Sequence, residues 1–167
     1  MISKNDKKYL EKLINKISKQ KSSNIDQYPL LEKGFTTNDI MKGIEVLLSS
    51  KITMSEITKK FENNFSKFVG SKYSLMVNSG SSANLLAANV LINPKKKDRL
   101  KVGDEFIIPA ICWSTSLWPL IQCGLKPKFL DVNINNYCLD EKLLKKDKKT
   151  KLIMNIHILG NSPNMDK

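Results

Sequence analysis

The stretch MVNSGSSANLLAA, beginning at Met76, joins a short apolar run to an alanine- and leucine-rich helical one through five small or polar residues, Asn78 to Ser82. Gly80 permits a tight or left-handed turn there. Ser81 and Ser82 offer amide N–H groups and hydroxyls at a helix start, where the macrodipole favours an anion. A phosphate suits such a join. Serine and glycine also cap helices that hold no ligand, so the motif alone leaves both readings open. It is not a Walker A loop, because no Gly-Lys-Ser/Thr follows, and it lacks the three glycines of a dinucleotide fingerprint.

A second group lies in PAICWSTSLWP, where Trp113 follows a run ending at Pro109. An indole at that place gives a flat apolar face for stacking on a planar ring; the plainer reading is that Trp113 and Trp118 both fill the core. A ring platform beside a phosphate site points to pyridoxal phosphate, with a flavin or a nucleotide as weaker fits.

These residues need elements to position them. Residues 5 to 20 read as an amphipathic helix with Tyr9, Leu10, Leu13, Ile14 and Ile17 on one stripe. SSNIDQYPLLEKGF reads as an extended linker. Thr36 with Asp39 resembles a capping box before IMKGIEVLLSS. Ser55 opens a further helix with Ile57, Phe61, Phe65 and Phe68 at three- and four-residue spacing, and Gly70 stops it. Beyond Gly70 the pattern changes to apolar runs at 73–77, 105–109, 128–132 and 151–156, read as buried strands. SANLLAANVLI, STSLWPLIQC and DEKLLKK between them read as helical, the second with Pro119 as a first-turn or kinking residue. Strand and helix in alternation imply a largely parallel sheet with helices on its faces, and ligands in such sheets bind beyond the carboxyl ends of the strands. The expected division is an N-terminal helical region, 1–69, followed by α/β structure over 70–167.

Composition bounds the alternatives. A chain of 167 residues is about one domain. No apolar run could span a bilayer, and the lysine-rich start lacks the centre of a signal peptide, so a cytoplasmic location is expected and no membrane partner. Cys112, Cys123 and Cys138 form no Cys-x-x-Cys pair, which speaks for buried thiols and no metal site. The net charge of +12 invites a nucleic-acid reading, but it comes from 27 lysines and one arginine scattered through every segment. Phosphate and base-edge recognition favours the arginine fork, so nucleic acid is not expected as a partner.

FENNFSKFVGSKYSLMVNSGSSANLLA, LKVGDEFIIPAICWSTSLWPLIQCGLKPKFLDVN and LGNSPNMD together resemble the DegT/DnrJ-type nucleotide-sugar aminotransferases. SGSSANLLA, RLKVGDE and WSTSLWPLIQ look most like the sugar 3-dehydratase branch. The resemblance implies the N-terminal part of a fold-type-I transferase dependent on pyridoxal 5′-phosphate, or on pyridoxamine 5′-phosphate in the dehydratases. It implies cofactor contacts from Gly80, Ser81, Ser82 and Trp113, and an approach of Lys51 and Thr53 to the nucleotide sugar. The implied substrate is a 4-keto-6-deoxy nucleotide sugar, the amino donor one such as glutamate, and the assembly a homodimer, in deoxy- and amino-sugar supply for surface polysaccharide and lipopolysaccharide. The catalytic lysine, or the histidine that replaces it, and the acid beside the pyridine nitrogen both correspond to positions beyond Lys167, so no catalytic residue is expected here. Asp131, Asp166 and the single His157 read as structural. A noncatalytic remnant and a basic nucleic-acid-binding module are the readings from other classes.

Overall fold

A computed structural model describes residues 2–21, 34–145 and 147–167. Most of the expected linker, 22–33, lies outside the described residues. The chain divides into two compact units, Met1–Met76 and Val77–Lys167.

The first unit is helical. Helices α1 (Lys4–Lys21), α2 (Thr37–Leu48) and α3 (Glu56–Val69) follow the amphipathic runs. Thr36 and Asp39 form the expected capping box of α2: the Thr36 hydroxyl accepts from the Asp39 amide, and the Asp39 carboxylate accepts from the Thr36 amide at 2.8 Å. The Thr36 hydroxyl also donates to that carboxylate at 2.7 Å, and this bond, followed by the one from the Thr36 amide, holds the Asp39 carboxyl below its ordinary pKa. Ser55 caps α3, and Gly70 ends it in the left-handed region at φ 70, a conformation that glycine adopts without the Cβ penalty. Met41 is buried. Lys7 of α1 donates to Glu45 of α2 at 2.8 Å, and Lys42 reaches the other oxygen of that carboxylate at 2.9 Å. The apolar stripe of α3 stays at least partly exposed at Ile57, Phe61, Phe65 and Phe68, with the Phe61 and Phe65 rings stacked at 5.7 Å.

The expected strand at 73–77 does not form. No described strand lies alongside it, so its ladder groups have no sheet partner. Instead the Met76 amide donates to the Glu62 carboxylate at 2.8 Å, and the Ser66 hydroxyl donates to that of Ser74 at 2.9 Å. The segment is extended chain tied by polar contacts to the preceding helix.

The second unit is a three-stranded, wholly parallel sheet in the order β2-β1-β3, with β1 (Glu105–Pro109) central, β2 (Lys126–Leu130) and β3 (Thr150–Ile153). Two helices accompany it, α4 (Gly80–Leu91) and α5 (Ser114–Gln122). Four consecutive residues of β1, Phe106 to Pro109, are buried, which is why its sequence is a continuous apolar run rather than an alternation. Phe106 and Ile108 share a face and meet Ala88 of α4 and Leu120, Cys123 and Leu125 from α5 and the turn after it.

Several boundaries differ from the sequence reading. Strand β2 begins two residues earlier, because Gly124 at φ 80 turns the chain at once and Lys126 already donates to Asp104 at 2.9 Å. It also ends earlier, Val132 forming an antiparallel bridge with Leu139. The ladder of β3 closes where Met154 donates to Ile107 at 2.8 Å, short of residue 156. DEKLLKK makes one 3₁₀ turn, Glu141–Leu143, started by the Asp140 carboxylate; a run this short gains too few hydrogen bonds to offset helix nucleation.

Two measurements test this packing. Phe106→Ala should destabilise the α/β unit by about 3–5 kcal/mol, whereas Phe129→Ala, at a half-exposed site, should cost roughly 1 kcal/mol or less; urea denaturation of the two variants checks the order. The second concerns Glu45, whose pKa is lowered from 4.5 to about 2 by its hydrogen bond from Lys7 and then that from Lys42. Lys7 is raised above 10.5 by the same partner. A lowered acid stabilises the fold above its unfolded pKa and loses that contribution as pH falls through the folded one, and a raised base does the reverse. The α1–α2 tie should therefore persist from about pH 4.5 to 10.5 and loosen towards pH 2, more readily in high salt, which screens these exposed charges. NMR titration of the Glu45 carboxyl, with α1–α2 contacts followed in parallel, reads this directly.

Candidate functional site

The join between 78 and 82 is a capped helix start. Ser79 is the N-cap of α4, extended at φ −159, and its hydroxyl accepts from the Ser82 amide at 3.2 Å. The Ser79 carbonyl takes the Ala83 amide at 3.0 Å. Ser82 therefore does not present its amide to a ligand, and its hydroxyl sits 3.2 Å from that of Ser79. The first two amides of the helix, those of Gly80 and Ser81, have no hydrogen-bond partner among the described residues, as expected of the first turn. Gly80 and Ser81 are both exposed.

Trp113 occupies the N-cap position of α5 and makes no capping bond; it is 75% exposed. Trp118, in the middle of that helix, is 53% exposed, so neither indole fills the core. The two helix starts are joined directly. The Ser81 hydroxyl donates to the Thr115 hydroxyl at 3.0 Å, and the Asn84 side-chain amide donates to the Thr115 carbonyl at 3.2 Å. The start of α4, with its two free amides, is thus bonded to Thr115, two residues after the exposed Trp113 at the start of the helix that follows β1. Neutral donors fixed at a helix start suit a phosphate, and the indole suits an aromatic ring attached to it; Gly80, Ser81 and Trp113 fit a pyridoxal phosphate on those grounds.

Sequence reasoning missed Thr115, Asn84 and the capping part of Ser79. For Ser79 the signal was present, since a serine three residues before an amide it caps is a common start. For Thr115 and Asn84 there was none, because their pairing links residues 31 positions apart.

Lys51 and Thr53 lie in the exposed α2–α3 loop of the first unit. That loop holds two non-glycine residues in the left-handed region, Ser50 at φ 56 and Met54 at φ 47, with Ile52 largely and Met54 almost wholly exposed. Asp131 is exposed and accepts from the next amide, that of Val132, at 2.8 Å. His157 and Asp166 are exposed, and His157 precedes a 3₁₀ turn without capping it. Cys123 and Cys138 are buried and Cys112 partly so; burial pushes the Cys112 and Cys123 thiols up, and the Cys138 thiol donates to the Asn161 carbonyl at 3.3 Å. No described helix is long and apolar enough to cross a membrane.

Fold and site together define a parallel α/β chain with two open amides at one helix start and an exposed indole at the next. Residues 35–167 match the DegT/DnrJ/EryC1/StrS aminotransferase family, and the chain belongs to that family. It is 46% identical over 144 residues to the GDP-4-keto-6-deoxy-D-mannose 3-dehydratase of Escherichia coli, an alignment that takes in 84% of this chain and 36% of that enzyme. The structure of the E. coli GDP-4-keto-6-deoxy-D-mannose-3-dehydratase with bound hydrated PLP superposes with a TM-score of 0.74 at 42% identity, over 86% of this chain and 37% of the other. A variant of such a dehydratase with bound GDP-perosamine superposes at 0.76 and 45% identity, over 84% of this chain and 36% of the other. The chain thus spans little more than a third of the proteins it matches.

The cap itself can be probed without a ligand. Ser79→Ala should remove about 1 kcal/mol from the start of α4 and speed hydrogen exchange of the Ser82 amide about fivefold. Unchanged exchange at Ser82 would show that the cap does not hold that amide.

Proposed function

We propose that this chain is the cofactor-binding N-terminal part of an enzyme dependent on pyridoxal or pyridoxamine phosphate, which removes the 3-hydroxyl of a 4-keto-6-deoxy nucleotide sugar during deoxy-sugar supply for surface polysaccharide. The observation that carries the reading is the pairing of the free Gly80 and Ser81 amides with the exposed Trp113 indole through Thr115, on a chain 46% identical to such a dehydratase. The amides of Gly80 and Ser81 hold the phosphate, the Ser82 hydroxyl adds a donor, and Trp113 covers one face of the ring. When bound, the cofactor supplies an electron sink for breaking a bond at the substrate carbon. Lys51 and Thr53 approach the nucleotide sugar from a loop whose left-handed residues are of the kind that cluster at ligand sites. The working enzyme is a cytoplasmic homodimer and takes its amino group from a donor such as glutamate.

The family description, which names aminotransferases, favours one second reading: transfer of an amino group to the same class of sugar. Incubating the complete enzyme with a 4-keto-6-deoxy nucleotide sugar and glutamate separates the two, since a 3-deoxy product supports the first and an amino sugar the second.

The binding assignment is tested in the complete enzyme by titrating pyridoxal phosphate against absorbance. Trp113→Ala should weaken binding about tenfold or more, since buried aromatic contacts add roughly 0.5–1.5 kcal/mol beyond the area they bury. Ser82→Ala should cost a donor to a charged group, roughly 1.5–3 kcal/mol. Trp118→Ala should change affinity less than either. Equal affinity in the wild type and Trp113→Ala would remove the stacking role.

A further inference from the structure

Pro119 is an unusual residue for the interior of a nine-residue helix. In a regular α-helix the carbonyl of residue 115 accepts from the amide of residue 119. Proline has no such amide, and its ring crowds that same carbonyl. Helix α5 nevertheless runs from Ser114 to Gln122 with Pro119 buried. The Thr115 carbonyl thereby loses its helical donor, and Asn84 of α4 supplies one at 3.2 Å. The Thr115 hydroxyl takes the Ser81 hydroxyl at 3.0 Å. Ser81 and Asn84 are three residues apart and so share one face of α4, which makes the contact a two-point grip on a single residue. Trp113 is tied into the same turn, its carbonyl accepting from Ser116 at 2.9 Å, while its indole has no capping bond of its own.

We propose that Thr115 is a positioning residue: with its carbonyl freed by Pro119, it locks the start of α5 to the start of α4 and so holds the Trp113 indole in register with the Gly80 and Ser81 amides. The identity of the ligand rests on the function proposed above, but the grip itself does not. Its consequence for binding is specific. Inorganic phosphate needs only the start of α4, whereas a phosphate carrying a ring needs both helix starts at the correct spacing. Loss of the grip should therefore weaken the second far more than the first.

The experiment uses the 167-residue chain with Trp118→Phe, which leaves Trp113 as its one indole. Emission anisotropy of Trp113 is measured without ligand, and affinities are measured for inorganic phosphate and for pyridoxal phosphate. Thr115→Val and Asn84→Leu, compared with this background, should each lower the anisotropy and weaken pyridoxal phosphate about fivefold to tenfold, the worth of one neutral hydrogen bond. Inorganic phosphate should change less than about twofold, and Thr115→Ser should restore both readings. Pro119→Ala returns a helical donor to the Thr115 carbonyl, so in that background Asn84→Leu should lose most of its effect, a coupling that a double-mutant cycle measures. Unchanged anisotropy in both Thr115→Val and Asn84→Leu would overturn the proposal. So would an Asn84→Leu effect of the same size with proline or alanine at 119. If the parent chain bound no pyridoxal phosphate while the anisotropy and its coupling behaved as described, the cofactor reading would fail and the positioning role would stand.

Discussion

Burial of β1 on both sides is the constraint from which the α/β unit follows. Phe106 to Pro109 are almost wholly removed from solvent, so every amide and carbonyl there must find a protein partner. Strands β2 and β3 meet that demand from opposite edges, both parallel, and a parallel neighbour can be reached only by a crossover. Helix α5 is the crossover between β1 and β2. Its start therefore falls at the carboxyl end of β1. Helix α4 packs against the same face through Ala88, and the Ser81–Thr115 bond fixes its start at that end as well. The site is a product of this topology rather than of any one motif.

Much of this was legible in the residues because the controlling interactions are local. Capping by Thr36 and Ser55, the stop at Gly70 and the apolar run of β1 each involve partners within a few positions. The helix start at Gly80 likewise announces itself by composition. What composition could not reveal was how that start spends its donors: Ser79 consumes the amide of Ser82, so the open amides are those one and two positions earlier.

The failures have the opposite character. An apolar five-residue run such as 73–77 is a strand only if another strand lies beside it, and that depends on residues elsewhere in the chain. Glu62 took the place of a ladder partner for Met76, a choice invisible to periodicity. The two tryptophans show the same limit. Their size suggested core, yet α5 turns Pro119 and Leu120 inward and leaves both indoles outward. In the short segment after Asp140, helix propensity yielded to length.

The charge of the chain gives a final measure of how recognition is built here. Twenty-eight basic side chains could each attract a phosphate, yet none is part of the proposed site at Ser79 to Asn84 and Trp113 to Thr115. A lysine is a flexible, strongly hydrated point charge, and holding it in one geometry costs rotamer freedom. A backbone amide at a helix start is already fixed and already oriented, because the helix behind it has met that cost. In the proposed site, attraction over distance and selection at contact are therefore served by different groups: the dispersed lysines raise the local concentration of any anion, while two uncharged amides and the Trp113 indole select which anion stays.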